Sequence, residues 1–236
     1  MEQTFSYGLI DRQGNQQDLL REIYSLRYQV YVNEWAFESA DEHPGGLEYD
    51  EYDEHSIHYY SRCTSENMVI GTARIILSSE LGFPIWKNFD IDKQHEGVDA
   101  KKIGEISRLA VSKEYRRRAI DKAIFGTGQY DPRRIPRYMD AGRDFHRHCE
   151  HEIIRGLYLS LYIDSKQRGL THWYAVMAKG LFVILKRWGI SFVQVGPAKN
   201  YHGYRAPYLV GIDSVEEALK KANPDLLAGA SKHKFH

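Results

Sequence analysis

The run Gly104-Glu105-Ile106-Ser107-Arg108-Leu109-Ala110-Val111 reads as a strand, yet it sets a carboxylate, a hydroxyl and a guanidinium among its apolar residues. Upstream, Asp50-Glu51-Tyr52-Asp53 and Gly71-Thr72-Ala73-Arg74 place more acids and another arginine in or beside strand-like stretches. Inward-pointing strand positions tolerate charge only where the charges meet one another or a ligand. The chain is thereby constrained to a sheet containing a polar slot, with Glu105 and Ser107 facing Asp53 or Arg74. Carboxylates on one side and guanidinium groups on the other suit a small molecule carrying both an amine and a carboxylate.

At 236 residues the chain is long enough to bury a sizeable core in one large domain. Lys plus Arg equals Asp plus Glu, 32 of each, so no global field argues for nucleic acid or a membrane. The charge is segregated all the same. Val32 to Tyr60 contains no Lys or Arg but holds Glu34, Glu38, Asp41, Glu42, Glu48, Asp50, Glu51, Asp53 and Glu54. From Lys113 to Arg147 bases dominate, among them Arg116, Arg117, Arg118, Arg133, Arg134 and Arg137. Such blocks steer partners even at zero net charge, the simpler alternative being two solvated faces. Two cysteines, Cys63 and Cys149, do not make a disulfide framework and fit a reducing compartment. The N-terminus lacks an export signal, and no run approaches the roughly 20 apolar residues of a membrane span. The expected setting is the cytoplasm.

Apolar spacing predicts a helix over Gln16 to Asn33 and strands over Ser56–Ser61 and Met68–Leu77, joined by a turn at Thr64–Asn67. Lys102–Val111 is the next strand, and Lys113–Phe145 is weakly patterned. Glu150–Arg168 is the best helix, with Ile153, Ile154, Leu157, Tyr158, Leu161 and Tyr162 on one face and Gly169 at its end. A strand at Thr171–Met177, a helix at Ala178–Trp188 closed by Gly189, and strands at Ser191–Val195 and Tyr208–Ile212 follow. Ser214-Val215-Glu216-Glu217 is a capping-box pattern opening a last helix. One mixed α/β domain over 1–236 results, with a basic insertion at about 113–147 and a C-terminal helix at about 214–228.

The element order resembles the GNAT N-acyltransferase fold. Within it, Arg27, Tyr31, Trp35, Asp50-x-x-Asp53, Gly71-x-x-Arg74 and Glu105-x-Ser107-Arg108 are similar to motifs of acyl-homoserine-lactone (autoinducer) synthases and long-chain N-acyl amino acid synthases. Adding His172-Trp173-Tyr174-Ala175-Val176-Met177 and Gly196-Pro197 followed by Tyr201-His202-Gly203-x-Arg205-x-Pro207-Tyr208, the chain most resembles the PEP-CTERM/exosortase-system-associated acyltransferases. The resemblance implies a largely antiparallel central sheet flanked by helices and a long-chain acyl donor held as a phosphopantetheine thioester. Ordinary GNAT chains cradle coenzyme A in a glycine-bearing loop. The matching stretch Arg116-Arg117-Arg118-Ala119-Ile120-Asp121 has no glycine, so close backbone approach to a pyrophosphate is hindered. An acyl carrier protein, with its acidic surface, is therefore expected as donor in preference to acyl-coenzyme A, docked on Arg116–Arg118, Arg133, Arg134 and Arg137. Leu185 stands where many GNAT chains have a tyrosine to protonate the departing thiolate.

An amine attacking a thioester needs its lone pair, an oxyanion site and an exit for the thiol. Glu105 is the candidate proton acceptor, its alternative being a buried partner of Arg74 or Arg108. Ser107 is placed with it, and amides beside Ser107 to Leu109 are expected to carry the oxyanion, with Leu109 and Val111 along the donor. Arg27, Tyr31, Trp35, Asp50, Asp53, Arg74 and Arg108 are the expected acceptor-binding set, although Arg27 equally suits a structural ion-pair network. Trp173, Tyr174, Phe182, Val183, Leu185 and Trp188 offer either an acyl tunnel or plain core. His146, His148, Cys149, His151 and Glu152 do not match a zinc spacing, so neither a metal nor a tightly bound cofactor is expected. The leading expectation is acyl transfer to an amino acid or related amine. The alternatives are an autoinducer synthase and, from another class, a non-catalytic acyl-carrier or lipid-binding module.

Overall fold

A computed structural model describes residues 5–11, 16–91, 97–113 and 141–222, the side chains of 141–150 excepted. One sheet collects β1 (Phe5–Ile10), β2 (Ser56–Cys63), β3 (Met68–Leu77), β4 (Ile103–Val111), β5 (His172–Ala178), β6 (Val193–Gln194), β7 (Lys199–Asn200) and β8 (Tyr204–Gly211). Their order across it is β1-β2-β3-β4-β5-β8-β6, with β7 also on β8. Among the described residues only β4 and β5 pair in parallel; the other pairings are antiparallel. Helices α1 (Gln17–Tyr28), α2 (Pro84–Asn88), α3 (Ala141–Gln167), α4 (Lys179–Arg187) and α5 (Ile212–Ala222) flank the sheet. This is the mixed, largely antiparallel α/β architecture that the sequence leads one to expect.

The main core lies where α3 crosses the sheet. Ile153, Ile154, Leu157, Tyr158 and Leu161 come round to one helix face and meet Ile70, Ile75, Leu109 and Trp173 from the strands. Two glycines set the helix ends. Gly169 (φ +73) and Gly189 (φ +87) take the left-handed conformation. After α3, the Gly169 and Leu170 amides bond back to the Lys166 and Ser165 carbonyls. After α4, Gly189 and Ile190 do the same with Lys186 and Leu185. That double bond-back needs a residue without Cβ strain, which is why both stops are legible as glycines.

Several boundaries differ from the pattern. Helix α3 is already formed at Ala141, where the described residues resume, ahead of the Glu150 at which the apolar pattern starts. Helix α5 opens at Ile212, and the Ser214 hydroxyl donates to the Gly211 carbonyl from inside the first turn instead of capping it. The basic residues 114–140, with Arg116, Arg117, Arg118, Arg133, Arg134 and Arg137, lie outside the described residues, as does 223–228. The single helix expected to Asn33 is instead α1 followed by a π-helical turn, Gln29–Glu34, closed by the Trp35 amide on the Val30 carbonyl. Among the described residues no helix is long and apolar enough to cross a membrane.

Two irregularities open the sheet at its centre. Strands β4 and β5 pair only from Ile103–Ile106 to His172–Ala175 and part beyond that point. Directly after the split, Arg108 sits at φ +50 and the β3–β4 register shifts between Thr72 and Arg74. A bulge of this kind re-aims a side chain. It brings Arg108 round beside Ser107, where strict alternation would send it to the opposite face.

Candidate active site

Behind the split lies a buried ion-pair network. Arg27 is fully buried, donating from Nε to Glu48 and from its fork to both oxygens of Asp53 at 2.7 and 3.1 Å. Arg74 donates to Asp53 (2.7 Å), to both oxygens of Asp50 (2.6 and 3.0 Å) and from Nε to the Ser107 hydroxyl (3.0 Å). Arg108 reaches Glu48 (3.0 Å), Asp50 (3.0 Å) and Glu38 (3.3 Å). Burial pushes the Asp53 carboxyl up, but Arg27 and Arg74 overcome it and hold it well below the usual carboxylate range. Glu48 and Asp50 are lowered in the same way, burial being outweighed by Arg27 and Arg108 for one and chiefly by Arg74 for the other. The Asp50 carboxylate and Asp53 also form a reciprocal capping box over the 3-10 turn Glu51–His55. Next to it His58 is pushed down to about 3, first by burial, and is therefore neutral.

The acidic block of the sequence is thus no solvated face at this point. Glu48, Asp50 and Asp53 are consumed by arginines from α1, β3 and β4. Arg27 and Asp53 do not line the cavity described next, so they support the site from behind rather than touch a ligand. Arg74, with its donors spent on Asp50, Asp53 and Ser107, is not placed to receive a substrate carboxylate.

In front of the network is a cavity of about 160 Å³, lined by Tyr31, Glu38, Asp50, Arg74, Glu105, Ser107 and Arg108 together with Phe37, Phe89, Tyr201, His202 and Arg205. A second of about 60 Å³ occupies the split itself, with Leu109, Tyr158, Ala175, Met177 and Leu181 as apolar walls. Tyr31, Ile106, Ser107, Arg108, Val176 and Arg205 line both, so the two spaces adjoin at that ring. The π-helical turn presents Tyr31, whose hydroxyl donates to the Leu109 carbonyl at 2.8 Å, beside the bulge.

Glu105 is 3 % exposed, and its Oε2 accepts the Ile85 amide at 3.0 Å, at the start of α2. No arginine forms an ion pair with it among the described residues. Burial raises its pKa to about 7, against a lowering by the Ile85 amide, Arg74 and Arg108. A carboxyl that exchanges its proton near neutrality, at the wall of a cavity, is suited to proton transfer.

Other expected residues fall elsewhere. Trp35 packs against the core and stacks on Phe37 at 6.0 Å, and Phe37 takes the cavity wall in its place. Val111 is fully buried core. Trp173 and Leu185 are core as well, and Phe182 stacks on Tyr208, so the apolar wall of the split comes from α3, β5 and Leu181. Tyr201 and His202 do border the cavity, held there by a hairpin in which His202 (φ +48) and Gly203 (φ +94) are both left-handed. Sequence reading missed Glu38, Glu48 and Arg205. For Glu48 a signal exists: an acidic block without bases must draw arginines from elsewhere if any of it is buried. Glu38, Glu42 and His43 bring one ligand atom each within 4.8 Å of one another, but Glu38 already pairs with Arg108 and Glu42 is exposed.

Comparison with known proteins agrees with this architecture. Residues 26–125 match the family model for the acetyltransferase (GNAT) domain. No curated protein matches the sequence. Among solved structures, the coenzyme A-dependent acyl-homoserine lactone synthase BjaI, with SAM and isopentyl-CoA, is similar at TM-score 0.62 and 16% identity, covering 98% of this chain and 100% of that one. The acyl-homoserine-lactone synthase LasI gives 0.57 and 20%, covering 93% and 95%. FeeM, an N-acyl amino acid synthase from uncultured soil microbes, gives 0.55 and 12%, covering 94% and 98%. The chain thus carries a match to the acetyltransferase (GNAT) domain over residues 26–125 and shares its fold with acyl-homoserine-lactone and N-acyl amino acid synthases.

Proposed function

We propose that the protein moves a long acyl chain from the thioester of an acyl carrier protein to the α-amine of an amino acid. The observation that carries this reading is Glu105: a buried carboxyl without an arginine partner among the described residues, raised to about 7, on the wall of a cavity that adjoins the sheet split. The acceptor enters the larger cavity as an ammonium. Ionised Glu105 takes its proton, directly or through a water, and the freed lone pair attacks the thioester carbon held where the two cavities meet. Backbone amides at the Ser107–Leu109 bulge and the Ser107 hydroxyl, oriented by Arg74, face the oxygen that becomes negative. The intermediate collapses to an amide, expelling the thiolate into the split, and the nitrogen's second proton balances the released thiol.

The glycine-free stretch Arg116–Asp121 and the basic block that holds Arg133, Arg134 and Arg137 support the carrier protein as donor. The acceptor follows from carboxylates and guanidinium groups sharing one cavity. Autoinducer synthesis is the second reading, favoured by the likeness to BjaI and LasI over nearly their whole lengths. Purified protein given acyl-carrier protein and, in parallel, amino acids or S-adenosylmethionine decides between them. An N-acyl amino acid supports the proposal; an acyl-homoserine lactone moves the protein to the second reading. Binding of the acyl chain without turnover of either acceptor makes it a lipid-binding module.

A further inference from the structure

Gly196, buried in the short link between β6 and β7, lies against the backbone of the segment that follows α2. A Cβ at this position would fall on the Asp90 carbonyl oxygen, 3.3 Å from the Asp90 carbonyl carbon and 3.0 Å from the Pro207 ring. Neither neighbour can swing aside like the end of a flexible side chain, because one is backbone and the other a ring closed onto β8. Gly196 is itself tied down. The Gln194 side-chain amide donates to the Gly196 carbonyl at 2.8 Å, and the Val195 amide donates to the Pro207 carbonyl at 3.0 Å. Only a residue without a side chain lets the two backbones approach this closely.

The segment that leans on Gly196 builds one wall of the site. Pro84, Ile85, Asn88 and Phe89 line the larger cavity, and the Ile85 amide donates to Glu105 at 3.0 Å. With five residues, α2 is too short to hold its own place. Its seat comes from packing: Phe83, Ile85 and Phe89 share one apolar cluster with Tyr52, Tyr174 and Val195. Tyr201 meets the Phe89 ring edge to face at 5.5 Å, and the Lys199 ammonium lies 4.8 Å from the centre of that ring. The link from Val195 to Tyr201 therefore carries the far end of α2, and Gly196 is where the backbones touch.

Around Glu105 stand Arg74, Arg108, Asp50 and the phenols of Tyr174 and Tyr201. The two arginines and Asp50 are fixed by the ion-pair network behind the cavity. The Ile85 amide is the largest influence favouring the ionised carboxyl, and it is carried by α2. Resting on the assignment of Glu105 as proton acceptor, we propose that Gly196 is a positioning residue for the reaction: by admitting the Asp90 carbonyl it seats the α2 segment so that the Ile85 amide meets Glu105. Any side chain at 196 pushes the segment off this seat by about 1 Å to restore an ordinary contact. That is enough to stretch the 3.0 Å bond beyond hydrogen-bonding reach.

The test is the pH profile of kcat/KM for G196A against the wild type, with long-chain acyl-carrier protein as donor and glycine, tyrosine and S-adenosylmethionine as acceptors in parallel. A misplacement of this size predicts that G196A is roughly 10- to 100-fold less efficient at pH 7. Relative to the wild type it should recover by about threefold or more at pH 9, because a carboxyl that has lost its amide donor ionises later and the limb moves to higher pH. In folded G196A, an unaltered profile, a loss equal at every pH or a limb moved to lower pH overturns the assignment alone. A wild type that transfers no acyl group, or whose limb survives in Glu105→Gln, overturns the reading of Glu105 and this assignment with it. Should G196A not fold, G196A/P207A is compared with P207A, since losing the Pro207 ring relieves one contact of the new methyl and leaves the one with Asp90. The same rise of the limb then supports the proposal, and an unchanged profile refutes it.

Discussion

Replacing Glu105 by Gln separates a catalytic carboxyl from a structural one, because the two roles predict opposite changes in stability. The folded protein moves this carboxyl from its ordinary 4.5 to about 7, chiefly by burial. Ionising it in place therefore costs roughly 3 kcal/mol. The sign follows directly. Below pH 4.5 the carboxyl is protonated in folded and unfolded chains alike and there is no penalty. Between 4.5 and about 7 the unfolded chain ionises first and the fold loses stability, and above 7 the loss is complete. Gln keeps the shape and an oxygen that accepts the Ile85 amide, but it never ionises. Glu105→Gln should accordingly be at least as stable as the wild type in urea at pH 8, with the two curves converging below pH 5. Its turnover should fall about 100- to 10,000-fold, the usual general-base contribution. In the wild type, kcat/KM should rise with a limb near pH 7 that the variant lacks. A variant that loses stability and activity together at pH 8, or one that retains the limb, would refute the assignment of Glu105 as the proton acceptor.

The network behind the site makes its own predictions. Arg74→Met leaves the Asp50 and Asp53 carboxylates partly unpaired and should destabilise the fold by about 3–5 kcal/mol in urea unfolding. A near-neutral change in stability with a selective loss of amino-acid binding would instead return Arg74 to the substrate. Charge reversal at Arg133, Arg134 and Arg137 should raise the KM for acyl-carrier protein and weaken its dependence on salt. Full activity with acyl-coenzyme A alone, indifferent to these changes, would remove the carrier protein from the account.

The sheet, the long helix and the motif residues were readable because each follows from local pattern. Met68–Leu77 is continuously apolar apart from Thr72 and Arg74, and the glycines after α3 and α4 stop helices by backbone conformation alone. The site was half readable. Glu105, Ser107, Arg74 and Arg108 line one cavity, as their unusual setting in strands suggested, and Tyr31 and Asp50, singled out through the family resemblance, line it with them. Which charge meets which did not follow, since Arg27, Glu48 and Asp53 are brought together by the packing of α1 on the sheet. The Arg108 bulge and the π-helical turn that presents Tyr31 leave no propensity signal either, because arginine and tyrosine are ordinary residues for a regular strand or helix. Arg205 stood in a motif noted only for resemblance, and its place at the cavity depends on the register of β8 against β5 and β7.

The central claim is that a thioester acyl group is passed to the amine of an amino acid. The most direct measurement is to incubate the purified protein with a long-chain acyl-carrier protein and a mixture of free amino acids, following carrier mass and small-molecule products by mass spectrometry. The account predicts an N-acyl amino acid formed in a one-to-one ratio with free carrier thiol, and its loss in Glu105→Gln. Thiol release with free fatty acid and no amide would contradict it.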